Sequence, residues 1–297
     1  MKKEGVFALV ISVLLLFIVY FFLGVAYHIS VTNKIFFCVI FVAIMYFFYR
    51  KIEEFYLFVP SLIFTYLAFE ISFNFNLWLI LFLSLVINAL LFLAYRYFKF
   101  KGKYALLLLI SFVVIWIILA FNVLYRSDWF LENYLTVPFV IILAISYRWF
   151  KLSKTSYGLI FAYMVLHIIG SHYTYSEVPF GFWMQSFFEL SRNHYDRIVH
   201  FAFGLLLAYP LKEAFIGITR VNKFLAYYLP VEFVLAFSCI YEIIEWGVAI
   251  VFGGDLGVAY LGSQGDIWDS QKDMALAGLG SLIAMMFNFI FRKREKS

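Results

Sequence analysis

Long apolar segments separated by short polar ones set the strongest limit on how this chain can fold. Of its 297 residues, 65% are hydrophobic and only 14% are charged, and the mean hydropathy is +0.93. Soluble domains carry about 25% charged residues, so this chain has too few polar side chains to cover a surface in water. We therefore expect an all-α, polytopic bundle of membrane helices whose main partner is the lipid bilayer.

Ten apolar segments are candidate membrane spans, several of them extended by interfacial Tyr and Trp. They cover residues 5–27, 35–49, 55–73, 77–98, 104–124, 134–150, 157–170, 198–210, 225–251 and 267–291. The first is expected to be a retained span, because it is too long for the apolar region of a signal peptide and lacks a small-residue cleavage site.

Most of the 23 Lys and Arg residues fall at alternate ends of these spans. Basic residues are enriched on the cytoplasmic side, so this pattern predicts that both termini are cytoplasmic. The same pattern explains the net charge of +5. We therefore expect no nucleic acid as a partner.

The distribution of acids predicts a boundary near residue 103. Residues 1–103 hold four predicted spans with one acid inside them, Glu70, and are interpreted as an N-terminal extension. Residues 104–297 hold six predicted spans, and polar residues accumulate along them on one side. This second part is therefore expected to hold the functional site.

Four polar runs in this part lie at ends that the topology places on the extracytoplasmic side. They are GSHYTYSEVPFGFW, HYDRIVHF, YEIIEW and GDIWDSQKD. Their acids and histidine recur at helical spacing, which places each set on one helix face. The sets are Asp196 with His200, Glu242 with Glu245, and Asp266 with Asp269 and Asp273.

The six acids of these sets outnumber the nearby cations Arg197 and Lys272. Carboxylates inside a membrane are costly, so they are expected to face the bundle interior and find partners. Either several are protonated, or a divalent metal ion or cationic substrate completes the site. Mixed His and carboxylate ligands suit Zn, Mn or Fe, and oxygen-only subsets suit Mg or Ca.

On the metal hypothesis each residue type has a role. The predicted metal ligands are Asp196, His200, Glu242 and Asp269, and the predicted catalytic base is Glu245 or Asp273. The predicted substrate-binding residues are His172, Tyr173, Tyr175, Trp183, Arg197, Asp266 and Gln271. The aromatic segment 177–190 is predicted to lie on the membrane surface as a lid.

Several of these features also have structural explanations. His167 is better explained as a hydrogen-bonded core histidine than as a ligand. An ordinary aromatic belt is an equal alternative for Tyr173, Tyr175 and Trp183. Gly278 and Gly280 form a small-residue face that close helix packing explains. A helix N-cap accounts for one acid per helix, but two carboxylates within one turn of a span have no default structural role.

The motifs GSHYTYSEVPFGFW, NHYDRIVHFAFG, YEIIEW and GSQGDIWDSQKDM resemble the bacterial inner-membrane YjdF family over roughly residues 105–291. More loosely, DRIVHF, a later acidic span and WDSQKDMALAGLG are similar to VanZ-like proteins, which are linked to low-level glycopeptide resistance. The HYTY run and the second glutamate depart from that second pattern. The resemblance implies a multi-pass protein of the bacterial inner membrane, and it supplies no established reaction.

Three classes of function therefore stay open. The first is a metal-dependent membrane enzyme that acts on a lipid or envelope precursor. The second is a transporter or ion-coupled permease, which needs interrupted helices; Pro210 and the glycines at 253–254 lie at predicted span ends and disfavour it. The third is a structural or regulatory membrane protein without chemistry.

Overall fold

The computed structural model describes residues 104–219, 221–252, 254 and 262–293, together with four isolated residues before residue 103. The chain divides into two compact units, Met1–Gly102 and Lys103–Ser297. Apart from residues 65, 84, 86 and 87, the four predicted spans of the first unit lie outside the described residues. Within the second unit the described residues form seven helices and no strand.

The seven described helices follow one another in chain order. They are α1 (Tyr104–Leu119), α2 (Arg126–Ser146), α3 (Lys154–Tyr173), α4 (Pro179–Phe187), α5 (Tyr195–Thr219), α6 (Lys223–Phe252) and α7 (Asp269–Lys293). Four of them, α2, α5, α6 and α7, are long and apolar enough to cross a membrane. The predicted class, an all-α membrane protein, is confirmed for this part of the chain.

Two helices extend well beyond the spans that hydropathy predicts. α2 begins at Arg126 rather than at residue 134, and α5 runs from Tyr195 to Thr219 rather than over 198–210. The added turns contain polar residues that are buried, among them Glu132 and Lys212. Pro210 consequently lies inside α5, and its predicted place at a span end is wrong. A hydropathy profile ends a segment at a charge, whereas the helix continues because the bundle shelters that charge.

Glycines bring α5 and α7 into the closest contact. A Cβ atom added to Gly204 of α5 would overlap the carbonyl oxygen of Ala277, and one added to Gly280 of α7 would overlap that of Phe201. Gly278 lies against Leu235 of α6. The predicted packing role of the small-residue face is therefore confirmed. Because the helices touch here, their N-terminal turns are also adjacent.

The other end of α5 is fixed to α3. Ser153 caps α3 by accepting a hydrogen bond from the Ser156 amide. Glu213 of α5 accepts hydrogen bonds from the Ser153 amide at 2.7 Å and from its hydroxyl at 2.9 Å. These bonds hold the start of α3 against the C-terminal part of α5.

Candidate functional site

Five buried polar side chains from three helices meet in what we call the acid cluster: Asp196 and His200 of α5, Glu242 and Glu245 of α6, and Asp273 of α7. His200 Nε2 lies 3.6 Å from Asp196 Oδ1 and 3.4 Å from Glu242 Oε1. One potential ligand atom from each of Asp196, His200 and Asp273 lies within 4.8 Å of the others. Three of the four polar runs predicted to converge therefore meet here, and they combine histidine with carboxylates.

The surroundings of His200 suit a ligand. Its Nδ1 lies 3.4 Å from the hydroxyl of Ser238, and its ring packs edge-on against Tyr241 with centroids 5.8 Å apart. In the tautomer that donates from Nδ1 to Ser238, Nε2 presents its lone pair to the carboxylates. A metal-binding histidine is commonly oriented by such a hydrogen bond on its other nitrogen.

Two carboxylate oxygens in the cluster, Asp273 Oδ1 and Glu242 Oε1, have no hydrogen-bond partner among the residues that the structure describes. Asp273 is only 1% exposed. Leaving a buried polar atom unpaired costs free energy, and native proteins seldom tolerate it. The two oxygens therefore favour a bound cation, or protonation, as the partner that the described side chains do not provide.

A second group, the ion-pair network, lies at the start of α7 and in the loop before α5. Arg192 donates to both oxygens of Asp269, and Arg197 donates to Asp269 Oδ1 at 3.2 Å. Arg197 also pairs with Asp266, which accepts a 2.6 Å hydrogen bond from Lys272. That bond from Lys272 holds the pKa of Asp266 below its usual range. Asp269 thus faces two guanidinium groups, in contrast to its predicted role beside His200.

Sequence reasoning missed two contributors. Arg192 is 5% exposed and was not among the predicted site residues. Glu132 of α2 is also buried, and its Oε2 accepts a 3.0 Å hydrogen bond from Tyr241, the residue whose ring packs on His200. The spacing of Asp128, Glu132 and Thr136 by four residues would have indicated a polar helix face.

Histidines and tyrosines at the end of α3 make internal hydrogen bonds. The pair His172 Nδ1 and Leu119 O is 2.8 Å apart, which ties α3 to α1. His167 lies 2.7 Å from the Thr136 hydroxyl and 2.5 Å from that of Tyr175. The interpretation of His167 as a hydrogen-bonded core residue is therefore confirmed. For His172 and Tyr175 these contacts point to structural roles.

The other predicted substrate-binding residues lie on the margins of this region. Tyr173 is half-buried and packs against His172 with ring centroids 4.7 Å apart. Trp183 of α4 stacks between Phe180 and Phe187, at 5.9 and 5.0 Å. Gln271 is exposed in the first turn of α7. Substrate roles for these residues, and the lid role of segment 177–190, stay predictions.

Taken together, these features define a class: a multi-pass helical membrane protein with a buried cluster of carboxylates and one histidine shared by three helices. The chain belongs to the family described as "Predicted membrane protein (DUF2238)", which matches residues 104–294. It is 35% identical to the inner membrane protein YjdF of Escherichia coli (strain K12) over 171 residues, which is 57% of this chain and 81% of that relative. No solved structure matches.

These comparisons confirm the family that the four motifs indicated. They also confirm the predicted location, so the chain is a protein of the bacterial inner membrane.

Proposed function

We propose that this protein is a membrane-embedded, metal-dependent enzyme that acts on a lipid or envelope precursor. The observation that supports it is the approach of ligand atoms from Asp196, His200 and Asp273 to within 4.8 Å of one another. Atoms bound to one zinc-like ion at about 2 Å lie at most about 4 Å apart. Small side-chain rotations would therefore close this set around a divalent cation.

The geometry changes two of the roles assigned from sequence. Asp273 joins Asp196 and His200 as a ligand, because one of its carboxylate oxygens belongs to the same group of atoms and its buried Oδ1 has no described partner. Glu242 is the fourth ligand, since its Oε1 lies 3.4 Å from His200 Nε2. Asp269 instead orients the arginines of the ion-pair network.

Glu245 is the general base in this proposal. It is 7% exposed and lies beside Glu242 on the same face of α6. A divalent cation at the site would supply Lewis-acid activation of a water or substrate oxygen. Glu245 would accept the proton released there, and the surrounding apolar helices would exclude bulk water.

The proposal includes a topology of about ten spans with both termini cytoplasmic. The cluster residues lie in the first turns of α5 and α7 and in the second half of α6, an arrangement that fits helices of alternating direction with the site near one membrane face. On this topology the site opens to the extracytoplasmic side. Residues 1–103 are a four-span extension of the domain formed by 104–297, so a chain lacking residues 2–100 should still insert and fold.

The test uses purified protein in nanodiscs made with bacterial envelope lipids, assayed by mass spectrometry of the lipids with and without added Zn²⁺ or Mn²⁺. Wild type should convert a lipid species in the presence of metal. Glu245→Gln should bind metal as wild type does yet lose the conversion. Glu232→Gln is the matched control, because Glu232 is exposed on the same helix.

Unchanged lipids with wild type, together with metal uptake into proteoliposomes, would contradict the enzyme proposal and favour the transporter class. In the described residues, α5 and α6 run without interruption through Pro210 and Pro230. Continuous helices are the reason that we place the enzyme first.

A further inference from the structure

We infer that Arg192 and Arg197 bind a phosphate group of the substrate, which makes the substrate class a membrane phosphate ester. This inference rests on the proposed function, since it names what the metal-dependent site would act on. It comes from a count of the N–H donors of the two arginines.

Arg192 has one donor that its neighbours leave unused. A guanidinium carries five N–H donors. Nη1 donates to Asp269 and, at 2.7 Å, to the Ser263 carbonyl; Nη2 donates to Asp269 and, at 2.9 Å, to the Gly262 carbonyl. The fifth donor, Nε, is buried and has no partner in the described part of the chain. The side chain is 5% exposed, so water does not readily compensate for the missing bond.

Arg197 repeats the pattern. Its Nη2 donates to Asp266 and Asp269, and its Nη1 lies 3.1 Å from Nδ1 of His194. Burial and the neighbouring arginines lower the pKa of His194, so its neutral ring can accept that bond. Nε of Arg197 is again buried and without a described partner.

Both arginines lie close to the proposed metal ligands. Arg197 directly follows Asp196 in α5, and both arginines bond Asp269, which lies one helical turn before Asp273 in α7. Within the ion-pair network, the cations of Arg192, Arg197 and Lys272 pair with the carboxylates of Asp266 and Asp269. Taken alone, the network therefore has one cation more than it has carboxylates.

A phosphate group matches this arrangement. Its non-bridging oxygens accept charge-assisted hydrogen bonds, for which guanidinium is the preferred side chain. In this proposal, one phosphate oxygen would accept from Nε–H of each arginine, and another would face the proposed cation. Phosphate esters are also substrates on which metal-assisted displacement operates.

The loop that holds Arg192 is fixed before any ligand arrives. The Asn193 amide donates to Gln264 Oε1 at 3.0 Å, and Gln264 Nε2 donates back to the Asn193 carbonyl at 2.9 Å. Asn193 Nδ2 donates to the Val178 carbonyl at 3.0 Å, which joins the loop to the start of α4. Donors fixed in advance lose little entropy on binding.

The experiment is isothermal titration of the metal-loaded, full-length protein in detergent with dihexanoyl phosphatidic acid, dihexanoylglycerol and inorganic phosphate. Wild type should bind phosphatidic acid and should not bind dihexanoylglycerol. Arg192→Lys and Arg197→Lys keep the charge but remove Nε–H, so each should weaken phosphatidic acid binding by about tenfold or more, as expected for a lost charge-assisted bond. Lys223→Gln removes an exposed cation at the start of α6, outside the ion-pair network, and should bind as wild type does.

The inorganic phosphate arm identifies the source of the group. If phosphatidic acid binds more tightly than inorganic phosphate, the substrate is a lipid. If the two bind equally, the ligand is free phosphate. Both outcomes support recognition of phosphate by the arginines. If Arg192→Lys fails to fold, the Arg197→Lys variant provides the test. The Arg197 side chain is less buried, so its substitution is less disruptive to the fold. Unchanged phosphatidic acid binding in Arg197→Lys, or equal binding of dihexanoylglycerol to wild type, would overturn the inference.

A parallel titration in chelator separates this inference from the proposed function. Arginine-dependent phosphate binding without any bound metal would remove the metal-dependent enzyme and leave the phosphate site standing. Metal binding without phosphate binding would overturn the phosphate site and leave the metal-dependent enzyme standing.

Discussion

The substitution Asp269→Asn tests the ion-pair network at its centre. Asp269 accepts hydrogen bonds from both Arg192 and Arg197, and the side chains of Asp269 and Arg192 are 8% and 5% exposed. Asparagine keeps the volume and one acceptor oxygen but removes the charge. Both guanidinium groups then lose their shared counter-ion in a place where water cannot replace it.

Removing one partner of a buried ion pair costs about 3–5 kcal/mol, because the other charge stays buried and uncompensated. Asp269 also lies near Asp196, so loss of its charge relieves some repulsion and places the expected cost at the lower end of this range. For a domain of this size, a loss of about 3 kcal/mol lowers the melting temperature by roughly 6–12 °C.

Thermal unfolding of purified protein in detergent, followed by tryptophan fluorescence, measures this change. Lys272→Gln is the matched control, because Lys272 joins the same network with a side chain that is 48% exposed, and it should change the melting temperature little. The double variant Arg192→Met, Asp269→Leu should be more stable than Asp269→Asn alone. Equal melting temperatures for Asp269→Asn and Lys272→Gln would refute the argument from burial.

Three further outcomes are expected. Gly280→Ala should destabilise by about 1–3 kcal/mol, because its Cβ would meet backbone of α5 that cannot yield; Gly247→Ala, with open space around it, should be neutral or stabilising in the same melting assay. The pKa of Asp266 is lowered, so its ion pair stabilises the fold above the ordinary Asp pKa of about 4. This stabilisation is lost as the pH falls further. On acid titration, Asp266→Asn should therefore lose less stability than wild type does. A reporter active only in the cytoplasm should be active after Lys296 and silent within 254–265, and the reverse pattern would invert the topology.

The helical spacing of the polar runs predicted the helix faces of α5 and α6 that meet in the acid cluster. Asp196 with His200 and Glu242 with Glu245 each fix one face of a helix, and a membrane-embedded bundle has only its interior in which to place such faces. The small residues of α7 likewise predicted close packing, which Gly280 makes with α5. Local periodicity and the cost of charges in lipid therefore account for this part of the site.

Other features depend on tertiary contacts that no local pattern encodes. Arg192 reaches Asp269 across 77 residues, and nothing in its own segment distinguishes it from a solvated loop arginine. His172 bonds to a backbone carbonyl of α1. Every residue type has this carbonyl, so the sequence does not reveal the partner. Glu132 was missed because a hydropathy profile begins the span after it, although the helix starts at Arg126.

The most direct test of the metal-dependent site is the melting temperature of Asp273→Asn, measured in detergent with Zn²⁺ or Mn²⁺ and again with chelator. A bound ion stabilises the native state by mass action. Chelator should therefore lower the melting temperature of wild type, and Asp273→Asn should be less stable than wild type in metal and insensitive to chelator. If no ion binds, removing this buried carboxylate relieves repulsion and desolvation. An Asp273→Asn protein that melts higher than wild type, with neither protein responding to chelator, would contradict the account.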